Sequence, residues 1–179
     1  STELILIRVT GEDRPGLTSS VTEILAKYDA TILDIGQADI HNTLSLGILF
    51  KSEERHSGFI MKELLFKASS LGVTIRFEPI TTEQYDNWVG MQGKNRYILT
   101  VLGRKLSARQ ISAATSVLAE QGMNIDAIKR LTGRIPLDEC DTDARTRACI
   151  EFSVRGTPKD RIAMQESLMK LASELEMDF

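Results

Sequence analysis

The sequence predicts an α+β protein made of two copies of one βαββαβ unit, and three observations carry that prediction. Apolar residues at a period of two alternate with apolar residues at helical spacing, in the order strand, helix, strand, strand, helix, strand, and then the order repeats. Val21, Ile24, Leu25 and Ile32 align with Ala114, Val117, Leu118 and Ile125 at one constant offset, the mark of an internal duplication. Between the copies, Thr81 to Lys94 is polar and contains Asn87, Gly90 and Gly93, as a linker does. The expected division is a first domain over residues 1–80, a linker over 81–94 and a second domain over 95–179.

In the first copy, Leu4–Thr10 is an apolar strand, and Leu17, Val21, Ile24 and Leu25 make one face of the helix that follows. Thr31–Ile40 is rich in β-formers and reaches His41-Asn42, a two-residue hairpin turn. Thr43–Phe50 returns with Leu44, Leu46 and Ile48 on one face. A helix is expected from about Ser57 to Gly72, which leaves His56 in a polar loop. Val73–Phe77 is the last strand, ended by Pro79.

The second copy follows the same plan. Tyr97–Leu102 is a strand that runs into Gly103. Ser107 and Gln110 form an S-x-x-Q capping box that starts a helix carrying Ile111, Ala114, Val117 and Leu118. Asn124–Leu131 and Ala148–Arg155 are the middle strands, and Thr157-Pro158 is expected to cap a helix reaching about Leu175. Met177-Asp178-Phe179 is the opening of a last strand cut off by the chain end. Trp88 and Tyr85 are read as residues that anchor the linker to a domain. Copies of roughly 80 residues are small for an independent core, and their sheets leave edges to cover, so a homodimer is expected.

Composition narrows the function. A net charge of −3 over 179 residues offers no general attraction to nucleic acid or to an anionic membrane surface. The third strand, Thr43–Leu49, has neither the aromatics nor the basic residues of a base-stacking sheet. No apolar run has the length of a membrane span or a signal-peptide core. Cys140 and Cys149 form no C-x-x-C unit and have no histidine at zinc-ligand spacing, so no metal is expected and a cytoplasmic protein with free thiols is the simplest reading. Asp138, Glu139, Asp141 and Asp143 read as an exposed acidic loop, because no apolar strand precedes them. No catalytic motif is present, so the chain is not expected to catalyse a reaction by itself.

What remains is a small-ligand site in the loop after the first strand, Gly11-Glu12-Asp13-Arg14-Pro15-Gly16-Leu17. Proline suits the first turn of a helix, and glycine leaves the first-turn N–H groups uncovered, so one carboxylate would fit there. The N–H groups at Gly16 and Leu17 are candidate donors to the carboxylate of an amino acid, and Asp13 is a candidate acceptor for its ammonium. The alternatives are a plain strand–turn–helix connection and a capping role for Asp13. In the second copy Asn124 offers both a donor and an acceptor, or is a turn residue after Gly122.

With G-E-D-R-P-G-L in such a repeat, the first half resembles an ACT domain, an amino-acid-sensing module of ferredoxin-like fold. Val101–Ala108 (V-L-G-R-K-L-S-A) and Gly122–Leu131 (G-M-N-I-D-A-I-K-R-L) resemble the second ACT domain of tandem-ACT bacterial phosphoserine phosphatases. The resemblance implies a regulatory, dimerising region that binds a small amino acid, L-serine, where ACT domains meet. It also implies a separate catalytic domain with a D-x-D-S-T motif and Mg²⁺, a motif this chain lacks. Asp13, Pro15 and Gly16 match the family's ligand loop, Gly103 matches the glycine of the second loop, and Asn124 matches an amide position. Arg104-Lys105-Leu106-Ser107 departs from D-x-P-G, so the two copies are not expected to bind alike. The second family reading is a stand-alone two-ACT regulator, similar to glycine-cleavage regulators, that acts through protein contacts.

Overall fold

The computed structural model describes residues 1–92, 95–103, 107–132, 148–174 and 177–178. The chain divides into two units, Ser1–Gly90 and Met91–Phe179. In the first, β1 (Thr2–Glu12), β2 (Thr31–Ile40), β3 (Thr43–Glu53) and β4 (Thr74–Ile80) form an antiparallel sheet ordered β2-β3-β1-β4. Helices α1 (Leu17–Lys27) and α2 (Glu54–Leu71) pack on one face. Ile5, Ile7 and Val9 alternate into that interface from β1, and Leu44, Leu46, Ile48 and Phe50 do so from β3. Val21 and Leu25 of α1 and Ile60 and Leu64 of α2 close the core from above. Burying each such side chain contributes roughly 1.5–3 kcal/mol.

Between β2 and β3 the chain reverses at His41 and Asn42, with φ of 49° and 61°. Two successive positive φ values make the primed turn that matches strand twist, as the sequence indicated. Lys27 Nζ meets Glu63 Oε1 at 2.7 Å and ties α1 to α2. The hydrogen bond and charge of Lys27 hold the Glu63 carboxyl below its ordinary value, and Glu63 raises Lys27 in return.

Several boundaries differ from the sequence reading. β1 is longer at both ends than Leu4–Thr10, because every residue from Thr2 to Glu12 has a partner in β3. Helix α2 begins at Glu54, not near Ser57, which places His56 inside a helix and not in a polar loop. Its ring stands 5.6 Å from that of Tyr28. Pro79 does not end the last strand but lies within β4, paired with Ile5. β4 is at the sheet edge, with a neighbour on one side only, the kind of strand in which proline is tolerated. Residues 82–92 carry a further helix, α3 (Thr82–Gln92), within the expected linker. Thr81 and Gln84 cap it reciprocally, with Thr81 N–H donating to Gln84 Oε1 and Gln84 N–H to Thr81 Oγ1.

The second unit repeats the plan with β5 (Arg96–Gly103), α4 (Ala108–Glu120), β6 (Asn124–Arg130), β7 (Ala148–Arg155), α5 (Arg161–Glu174) and β8 (Met177–Asp178), ordered β6-β7-β5-β8. Its core holds Val101, Leu118, Phe152, Val154 and Leu168. Register shifts fall at Ile32/Asp34 in β2 and at Ile125/Ala127 in β6, the same place in each repeat. Thr157-Pro158 does not cap α5. Asp160 does, its Oδ1 accepting from Ala163 N–H at 3.0 Å, and Lys159 N–H is held by the Gln121 carbonyl.

Candidate functional site

The two strand-to-helix loops are built differently. In the first unit the chain leaves β1 at Glu12, and Asp13 N–H donates to the Asn42 carbonyl at 2.7 Å, which pins the loop to the hairpin turn. Gly16 then takes φ of 86° as the residue before α1, in the left-handed region that favours glycine. A Cβ there would meet nothing within 4 Å, so glycine is required by the backbone angle and not by crowding. Leu17, 2% exposed, anchors the first turn in the core. No side chain caps α1, and its first turn carries no acidic residue. Anions are favoured at such a terminus because its N–H groups and the helix dipole both point outward.

Around this terminus lies an open cleft of about 450 Å³, lined by Asp13, Arg14, Pro15 and Gly16, by Leu17, Thr18 and Ser19 of α1, and by Gln37 and Leu44. Four of the six candidate residues, Asp13, Pro15, Gly16 and Leu17, therefore meet in one place. Thr18 Oγ1 donates to Gln37 Oε1 at 2.7 Å and holds the amide over the cleft. The sequence reading did not single out Gln37, Thr18 or Ser19. Gln37 was the more legible of these, as a polar residue in a strand otherwise rich in β-formers, but only the fold shows that its position faces the start of α1.

Gly11 has a structural role. A Cβ on it would lie 2.6 Å from Val73 Cγ1 and 3.2 Å from Val73 Cα, so the close approach of the chain beside β4 admits no side chain. Gly103 stands at the matching place in the second sheet, paired with Ala148 as Gly11 is with Leu44.

In the second unit the helix start is closed. Ser107 Oγ accepts from Gln110 N–H at 3.2 Å and Gln110 Oε1 accepts from Ser107 N–H at 2.8 Å, the capping box legible in the sequence. Residues 104–106 lie outside the described residues. Gly103 and Asn124 are not brought together, since they pair with Ala148 and Arg155 at opposite ends of β7, roughly 23 Å apart along the strand. Asn124 lies beside a different feature. Arg155, 8% exposed, meets Asp126 through Nη2 at 3.3 Å. At the position that Gln37 occupies in the first unit stands Arg130, whose Nε donates to the Thr132 carbonyl at 3.2 Å.

The remaining candidates are dispersed. His41 is in the hairpin turn and Cys149 is a free thiol. The acidic run from Asp138 to Asp143, with Cys140, lies outside the described residues. Among the described residues no group of three or more His, Cys, Asp or Glu side chains is placed to hold a metal ion. No helix among them is long and apolar enough to cross a membrane.

Two antiparallel four-stranded sheets, each carrying two helices in βαββαβ order, define a tandem α+β architecture of ferredoxin-like units. The chain belongs to the ACT-domain family: residues 3–78 match one ACT-domain model and residues 96–179 match another. It is similar to phosphoserine phosphatase SerB2 of Mycobacterium tuberculosis, at 30% identity over 72% of this chain and 31% of that one. It is also similar to a phosphoserine phosphatase of Streptomyces coelicolor, at 28% identity over 97% of this chain and 38% of that one. The chain thus spans about a third of the length of these curated relatives. Among solved structures, a protein of unknown function from Galdieria sulphuraria aligns with a TM-score of 0.76 at 21% identity, over 99% of this chain and 96% of that one. A putative glycine cleavage system transcriptional repressor aligns at 0.66 and 14% identity, over 99% and 94% of the two chains. These last two likenesses are of fold.

Proposed function

We propose that this ACT pair is the regulatory region of a phosphoserine phosphatase of L-serine biosynthesis, and that it senses L-serine in the cleft at the start of α1. The open helix terminus carries the reading. A carboxylate would sit on the first-turn N–H groups that follow Gly16, where Leu17 N–H makes only a long 3.5 Å bond to the Arg14 carbonyl, and Asp13 on the rim of the cleft would accept from the ammonium. The Gln37 amide and the Thr18 hydroxyl are the polar groups within reach of a short hydroxylated side chain. The likeness to two phosphoserine phosphatases supports L-serine as the ligand, as the product of the reaction those names denote.

Regulation through such a site needs two subunit arrangements that bind the ligand unequally. Edge strand β2 supports a homodimer, since Ile32, Ile35 and Ile40 on it are 41%, 48% and 73% exposed and an uncovered apolar edge invites pairing. Catalysis, with its Mg²⁺, would belong to a domain outside these two units. The test is thermal denaturation of this chain with L-serine and with D-serine. L-Serine at a hundredfold excess over its Kd should stabilise the first unit by about 2.7 kcal/mol, and D-serine should have far less effect. No shift at millimolar L-serine sinks the proposal.

A further inference from the structure

The face of the first sheet turned away from α1 and α2 carries a second pocket, formed where α3 lies over it. Alternation puts Leu6 and Leu49 on that face, because their neighbours Ile5, Ile7, Ile48 and Phe50 are buried on the other. The Thr81–Gln84 cap fixes the direction in which α3 leaves β4, and Tyr85 and Trp88 come down beside Ile80. The result is a cavity of about 360 Å³ with largely apolar walls, all from the first unit. Its two aromatic rings stand 6.0 Å apart, inclined at 40°.

A single carboxylate, that of Asp34, lines this pocket. It is on β2 just past the register shift, and the irregularity sets it opposite Leu49 on the open face. Its Oδ1 accepts from the Ile35 N–H at 3.0 Å, which orients the carboxylate. Among the described residues no lysine or arginine pairs with it. A negative group beside apolar walls repels an anion and is left desolvated by a neutral apolar guest. A cation with an apolar surface satisfies both parts, and the faces of tryptophan and tyrosine attract it further through their quadrupoles.

We infer that this pocket binds a small organic cation of the ammonium class, with the charge at Asp34 and the apolar body against Tyr85, Trp88 and Leu49. The site is separate from the cleft at the start of α1, with which it shares no residue. Trp88 is the one tryptophan of the sequence, so its emission reports on the pocket alone.

The experiment titrates the full chain with choline at constant ionic strength while Trp88 emission is followed. The same titration uses 3,3-dimethylbutan-1-ol, the uncharged carbon isostere of choline, and repeats both on Asp34→Asn. Asparagine keeps an acceptor for the Ile35 N–H, so the variant should keep the parent melting temperature. The expected result is a saturable change with choline, at least tenfold weaker for the isostere and at least tenfold weaker in Asp34→Asn. Gly16→Val should leave the choline response intact. No saturable change with choline, or equal binding of the isostere, overturns the inference. Equal binding by a folded Asp34→Asn overturns it as well, and if that variant does not fold the isostere comparison decides.

Discussion

The two loops that lead from a first strand into a first helix solve one problem in opposite ways. Both must deal with N–H groups that have no partner in the helix. At Ser107 the chain satisfies them from within, through reciprocal bonds with Gln110. At Gly16 no side chain caps them, and a cleft lies beside the left-handed turn of that glycine. A duplicated fold therefore has one terminus without a side-chain cap and one that is occupied by its own side chains. Arg130 in place of Gln37 extends the contrast to the neighbouring strand. The two copies share the scaffold, and a few loop residues set their helix starts apart.

The strongest way to break the comparison is to remove the anchor of the open loop. Leu17→Ala should destabilise the first unit by about 2–5 kcal/mol, measured by denaturant unfolding, because Leu17 is 2% exposed in the core. A loss under 1 kcal/mol would mean that the loop is not held by packing. Next comes Gly16→Val, which forces a branched side chain to φ of 86° and should cost about 1–2 kcal/mol. Its more telling readout is the L-serine shift in melting temperature, which should vanish while the far-UV spectrum stays unchanged.

Ser107→Ala opens the closed terminus and should cost about 1 kcal/mol. It should confer no response to L-serine on the second unit, since Arg130 remains where the amide would be needed. A gained response would show that capping alone separates the two copies. The smallest effect concerns the ion pair across α1 and α2. The Glu63 carboxyl is held below its ordinary 4.5, so its stabilising contribution is complete above that value and disappears as pH falls through the lowered one. Lys27 is raised above 10.5, so its contribution is complete below that value and is lost as pH climbs through the raised one. Glu63→Gln should flatten the acid limb of the first unit's stability profile, and an unchanged limb would remove the pair from the account.

Much of this was legible in the chain itself. The capping box was readable because both partners are three residues apart and act locally. The His41-Asn42 turn was readable for the same reason. The errors at Pro79 and Thr157 share a cause, since each turned on a tertiary neighbour. Pro79 is tolerated because β4 is an edge strand, a fact of strand order. Helix α5 starts late because Gln121, far back in the chain, holds the backbone at Lys159 and, through its side chain, at Asp160. The site divides along the same line. Asp13, Pro15, Gly16 and Leu17 are consecutive enough to be read as one motif, whereas Gln37 joins them only through strand order.

Local chemistry, then, determined the duplicated βαββαβ plan, the periodicity of each core face and the identity of the open loop, because those depend on residues within a turn or two of each other. Tertiary structure decided the rest. It set Gly103 and Asn124 at opposite ends of one strand, brought Gln37 over the start of α1, and laid α3 against the sheet beside Asp34. Each of those depends on which strands become neighbours, and strand order is settled by burying apolar faces across the whole unit rather than by any one segment.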